Sequence, residues 1–101
     1  MRSITVHELK AVVEQGDAEI VDVREPWEYA EGHVPGARLV PLAQVPGLVG
    51  ELPTDAPVYL VCAVGARSGQ AAQFLAQRGV DAVNVDGGTG DWLAAGYPVE
   101  R

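Results

Sequence analysis

One cysteine stands in the 101 residues, Cys62, and the residues after it read Ala63-Val64-Gly65-Ala66-Arg67-Ser68. A run of this type suits anion chemistry. Gly65 can take a positive φ where the loop doubles back, and Ala63, Val64 and Ala66 place no competing charge beside whatever the loop holds. Curled tightly, such a segment turns successive backbone N–H groups inward, and a helix beginning after it adds the positive end of its dipole. A thiolate in that setting is stabilised, its pKa dropping from about 8.5 to roughly 3.5–7.5. Arg67 is the one full positive charge nearby in sequence. The competing reading makes Cys62 a small core residue closing a strand, since free cysteine is among the most buried residue types. The glycine, arginine and serine that follow favour a reactive thiol instead.

A lone cysteine admits no internal disulfide and no multi-thiolate metal site. His7 and His33 are too dispersed to complete one with it, so neither a metal nor a cofactor is expected. His33 sits beside a turn and reads as a structural hydrogen-bonding residue rather than a general base, because a thiolate already ionised by its loop needs none. Trp27, Tyr29 and Trp92 could line a pocket, but packing between short helices and the sheet is the simpler account.

The elements that must position Cys62 are legible from periodicity and punctuation. Arg2 to Ile4 reads as a short edge strand. Thr5 and Glu8 have capping-box spacing and Ile4 and Leu9 staple positions, predicting a helix that ends at Gly16. Ala18 to Val23 reads as a buried strand, and Pro26 opens a short helix through Tyr29 or Ala30. Val34-Pro35-Gly36-Ala37 predicts a type II turn before a strand near Arg38 to Val40. In Leu42 to Leu52 the apolar spacing is helical, yet Pro46, Gly47 and Gly50 predict only short turns. Val58 to Cys62 is a continuous apolar run, the pattern of a parallel strand buried on both faces. Ser68 to Arg78 predicts a helix stopped by Gly79, with Ser68 as its cap. Val80 to Val85 reads as a strand, and Gly87-Gly88 lead into a last helix capped by Thr89 and carrying Trp92. The glycine pair is expected to let backbone pass close to the Cys62 loop.

Alternating strands and helices imply an α/β domain with a mainly parallel sheet covered on both faces, residues 1–101 forming one domain. In such sheets functional loops lie at the carboxyl ends of the strands, which is where Cys62 falls. Asp22 and Arg24 end a neighbouring strand and are expected at the same edge, bracing loops by hydrogen bonds.

Seven basic residues against fourteen acidic ones leave a net charge of −7, which repels phosphate backbones and anionic lipid headgroups. Neither nucleic acid nor membrane is an expected partner. A small anionic ligand would need a local positive potential set against that overall field. The longest apolar run, Val58 to Val64, is far short of the roughly 20 residues needed to span a bilayer. With no apolar signal region at the N-terminus, a cytoplasmic location is expected.

Three segments together resemble the rhodanese homology family over nearly the whole chain. Asp22-Val23-Arg24-Glu25, Glu28-Tyr29 and Gly32-His33-Val34-Pro35-Gly36-Ala37 are similar to its first signature. Cys62 to Ser68 resembles its active-site loop, and Gly87-Gly88 with Trp92 its closing motif. The resemblance implies the rhodanese-like fold, an open, mainly parallel five-stranded sheet with helices on both faces. It also implies transfer of sulfane sulfur through a Cys62 persulfide, from a small anionic donor to a thiol, cyanide or protein acceptor. Phosphatase-like members of the family have five residues between cysteine and arginine. Here four separate Cys62 from Arg67, so the tighter ring of N–H groups fits one sulfur atom better than a tetrahedral phosphate. Many thiosulfate-using relatives place a basic residue just after the cysteine, whereas Ala63 and Val64 are uncharged, so thiosulfate is expected to be a poor donor. A binding or sulfur-relay module, whose partner does the chemistry, is the alternative; the pairing of Cys62 with Arg67 argues for an active loop.

Overall fold

The computed structural model describes residues 1–101. Thr5 opens the first helix as its spacing predicts: the Thr5 hydroxyl accepts from the Glu8 amide while the Glu8 carboxylate accepts from the Thr5 N–H. That reciprocal cap starts α1 (Val6–Gln15), which Gly16 ends. Five strands follow the predicted order: β1 (Arg2–Ile4), β2 (Glu19–Asp22), β3 (Arg38–Leu39), β4 (Val58–Val61) and β5 (Ala82–Val85). They form one sheet in the order β1-β5-β4-β2-β3, and every pairing is parallel. β4 lies at its centre.

The unbroken apolar run of β4 serves two cores at once. Val58, Leu60 and Cys62 point to one face, against Ala71, Ala72 and Leu75 of α3 (Ala66–Ala76). Val61 points to the other, against Val6 and Leu9 of α1 and Trp92 of α4 (Gly88–Ala94). Successive strand residues face opposite sides, so a strand covered on both must be apolar throughout. The remaining helix, α2 (Pro26–Glu31), buries none of its residues fully.

Three local expectations need correction. Leu42–Glu51 is a continuous 3₁₀ helix rather than isolated turns. Pro46 and the two glycines disfavour an α-helix, while burial of Val45 and Leu48 holds the segment in the tighter winding. Helix α3 begins at Ala66, with Gly65 at its cap position, so Ser68 lies inside the first turn rather than at the cap. Helix α4 likewise begins at Gly88 with Gly87 as cap, which places Thr89 within it. In both cases a positive-φ glycine makes the turn, leaving the hydroxyl residue free to face the loop.

Candidate active site

The chain leaves β4 at Val61, and Cys62 is the first residue beyond it, 1% exposed. The next residues curl as predicted. Gly65 adopts φ 102°, a conformation costly for any residue with a Cβ, and this turns its N–H back to Cys62 Sγ at 3.1 Å. Ser68 Oγ approaches the same sulfur at 3.3 Å. Burial pushes the Cys62 thiol up; the Ser68 hydroxyl and the backbone N–H groups of Ser68, Gly65 and Val64 pull it down, and the net lies below the ordinary value. The sulfur is thus buried yet faced by polar hydrogens, unlike a purely structural core cysteine.

The loop is clamped from below. Thr89 N and Gly90 N donate to the carbonyls of Cys62 and Ala63, each at 2.9 Å. A Cβ on Gly88 would collide with the Cys62 carbonyl oxygen, and Gly88 has φ 52°. The close passage expected of the glycine pair is what the structure contains, and it explains why α4 must begin with glycine.

Asp22 and Arg24 lie at the same sheet edge: Asp22 pairs with Val61 across β2 and β4, and Val23 N donates to Val61 O at 2.9 Å. Arg24 Nε and Nη2 both reach the Asp22 carboxylate, at 2.9–3.1 Å, and Nη2 also donates to the Gly32 carbonyl at 2.8 Å. The pair fixes the path from β2 through α2 rather than offering a free charge.

Arg67 is also engaged. Its two terminal nitrogens meet the two carboxylate oxygens of Glu28 at 2.8 and 2.9 Å. That contact draws the Glu28 carboxyl down to about 2 and raises Arg67 further. The cation of the loop is therefore directed sideways to α2, and the inner surface of the loop is lined by amides. Exposure within the loop is uneven: Val64 is 72% exposed while Ser68 is fully buried. None of the surface cavities involves a residue from Cys62 to Arg67; one of them is a groove of about 260 Å³ between the 3₁₀ helix and α3.

The other singled-out residues lie apart from the sulfur. His33 Nδ1 lies 2.9 Å from the Tyr29 carbonyl, and its ring stacks on Tyr29 at 3.6 Å. His7 contacts the Tyr97 hydroxyl. Trp92 is buried and donates to the Pro98 carbonyl at 2.7 Å, but Trp27 is 65% exposed, contrary to the packing role expected of it: α2 buries none of its residues fully, and Trp27 lies on its open side.

One polar residue was not anticipated. Asn84, in β5, places Oδ1 2.6 Å from Ser68 Oγ and directs Nδ2 to the Gly65 carbonyl and to Asp86, each at 3.3 Å. The available signal was an asparagine in the otherwise apolar run Ala82–Val85, a residue type depleted in strands.

This arrangement has relatives. The model of the family described as "Rhodanese-like domain" matches residues 5–95. The chain is 42% identical to the uncharacterized protein YqhL of Bacillus subtilis, over 91% of this chain and 72% of that one. It is 39% identical to a sulfurtransferase of Allochromatium vinosum, over 82% and 78%, and 32% identical to the thiosulfate sulfurtransferase GlpE of Pseudoalteromonas translucida, over 93% and 90%. Among solved structures, a rhodanese-like domain protein from Staphylococcus aureus superposes with TM-score 0.84 at 41% identity, covering 91% of each chain. A rhodanese-related protein from Thermoplasma volcanium gives 0.90 at 33% identity, covering 99% of this chain and 98% of that one. The family match, the identities and the shared fold agree, and the chain belongs to the rhodanese-like family of sulfurtransferases.

Proposed function

We propose that the protein transfers sulfane sulfur through a persulfide on Cys62, with a low-molecular-weight persulfide favoured over thiosulfate as donor. The observation that carries this reading is the amide-lined loop: Gly65 N–H lies 3.1 Å from Cys62 Sγ while the Arg67 guanidinium is held by Glu28. A ring of neutral N–H dipoles stabilises one charged sulfur; a dianionic sulfonate-bearing donor asks for a free cation that the loop does not present.

In the first step the Cys62 thiolate attacks the outer sulfur of the donor. The donor S–S bond breaks, and its electron pair leaves with a thiolate, or with sulfite when the donor is thiosulfate. Cys62 then carries a terminal S⁻, within reach of the N–H groups of the segment Ala63 to Arg67. In the second step an acceptor thiolate, a protein thiol or cyanide attacks that terminal sulfur, the Cys62–sulfur bond breaks, and the Cys62 thiolate returns. No redox partner, metal or cofactor enters the balance. Asp22 and Arg24 hold the neighbouring loop in place, and Ser68 bonds the sulfur from behind.

Protein treated with glutathione persulfide should gain the mass of one sulfur atom, removable by cyanide, and Cys62→Ser should gain none. Retention of full transfer by Cys62→Ser would refute the covalent mechanism. Failure of the unaltered protein to take up sulfur from any persulfide or from thiosulfate would leave a binding module as the reading.

A further inference from the structure

Behind Cys62 lies a short buried chain of polar atoms in which a single hydrogen must serve two acceptors. Ser68 Oγ is 2.6 Å from Asn84 Oδ1 and 3.3 Å from Cys62 Sγ, and a serine hydroxyl has only one hydrogen to donate. The orientation of Asn84 is settled by its other contacts. Its nitrogen faces the Gly65 carbonyl and the Asp86 carboxylate, which both accept, so the oxygen must face Ser68. Serine is then the donor of the 2.6 Å bond. Its lone pairs are what remain to meet the sulfur, and only a protonated Cys62 can supply the hydrogen for that contact.

We propose that Asn84 is a positioning residue for the sulfur chemistry: its side-chain carbonyl holds the Ser68 hydrogen while Cys62 is a thiol, and surrenders it when the sulfur becomes an anion. Ionisation of Cys62 swings the hydroxyl hydrogen from Asn84 to Cys62. The Asn84 oxygen, 7% exposed as a residue, is then left without its partner. Asn84 thus opposes the anion that Ser68 supports, and the resting state is less ionised than the amide loop alone would make it. This deepens the reading of Cys62 as the sulfur carrier and rests on it. The charged groups around Cys62 are Arg67 on α3, paired with Glu28 on α2; Asp22 paired with Arg24 after β2; and Asp86 after β5. The 3₁₀ helix packs only apolar residues against this core.

The test is the pH dependence of Cys62 alkylation by iodoacetamide, which reads thiolate without any sulfur donor. Removing the competing acceptor frees the Ser68 hydrogen for the sulfur, so Asn84→Ala and the shape-matched Asn84→Leu are expected to lower the apparent pKa by about one unit. Ser68→Ala is expected to raise it. The double variant Ser68→Ala/Asn84→Ala should match Ser68→Ala alone, because without the hydroxyl Asn84 has nothing to hold. A merely structural Asn84 predicts the opposite sign, since loosening Gly65 withdraws an N–H from the sulfur. An unchanged or raised pKa in both Asn84 variants, or additive effects in the double variant, overturns the proposal. Sulfur uptake without the shift sinks this inference alone. The shift without uptake by the unaltered protein removes the sulfur chemistry and keeps the hydrogen where it is placed here.

Discussion

The loops after β2 and β4 leave the same edge of the sheet and manage charge in opposite ways. The first buries a complete ion pair, with Arg24 and Asp22 side chains 7% and 0% exposed. The second buries a sulfur among backbone amides and sends its cation outward, Arg67 and Glu28 being 36% and 14% exposed. A buried carboxylate–guanidinium pair gives directional anchoring, and Arg24 uses its spare N–H to tie down Gly32. It leaves no charge for a ligand. Amides cannot anchor a neighbouring loop so firmly, but they accept an anion that comes and goes without leaving an unpaired charge behind. The β2 loop is thus a brace and the β4 loop a receptacle.

The contrast can be broken most directly at the brace. Asp22→Ala strands a buried guanidinium and is expected to cost about 3–5 kcal/mol of stability, measured by urea denaturation; a loss under about 1 kcal/mol would show that the pair is no anchor. Next comes the floor of the receptacle. Gly88→Ala forces a Cβ against the Cys62 carbonyl at positive φ, and should cost about 2 kcal/mol or more together with slowed alkylation of Cys62. Normal reactivity in that variant would mean that the loop does not depend on its clamp.

Smaller effects are expected where the β4 loop touches α2. Glu28→Gln keeps the shape of the α2 cap but releases Arg67, and is expected to cost about 1 kcal/mol or less. The same change should raise kcat/KM for thiosulfate several-fold relative to a small persulfide; if thiosulfate is used no better, the engaged arginine is not what disfavours it. The smallest effect is on the pH profile. The Glu28 carboxyl is held at about 2, below its ordinary 4.5, chiefly by Arg67. The stabilisation by this pair is accordingly complete above about pH 4.5 and is lost as pH falls from there toward 2. The stability difference between the unaltered protein and Glu28→Gln should shrink from neutral pH to about pH 3; a constant difference would assign the effect to the cap and not to the charge.

Much of the architecture could be read before any coordinates. Thr5 and Glu8 form a cap through contacts three residues apart, and local spacing suffices for such bonds. The apolar run Val58 to Cys62 marks a parallel strand because both of its faces must be covered. Gly65 and Gly87-Gly88 marked the tight backbone, since no other residue type tolerates those conformations without strain. Ser68 and Thr89 are less legible, because a hydroxyl at a helix start usually caps it, and here Gly65 and Gly87 take that position.

What the linear order of residues determined by itself is the set of elements, the placement of Cys62 at a strand end, and the four-residue spacing from Cys62 to Arg67. Periodicity, capping and backbone freedom are properties of neighbours along the chain. Only the tertiary fold decided which side chains from separate elements meet. It set Glu28 against Arg67 across 39 positions and Asn84 against Ser68 across 16, and so determined that the loop's charge faces outward and its hydrogen inward. Such contacts depend on strand order and register, which no local pattern encodes, because they arise where elements distant in sequence bury their faces together.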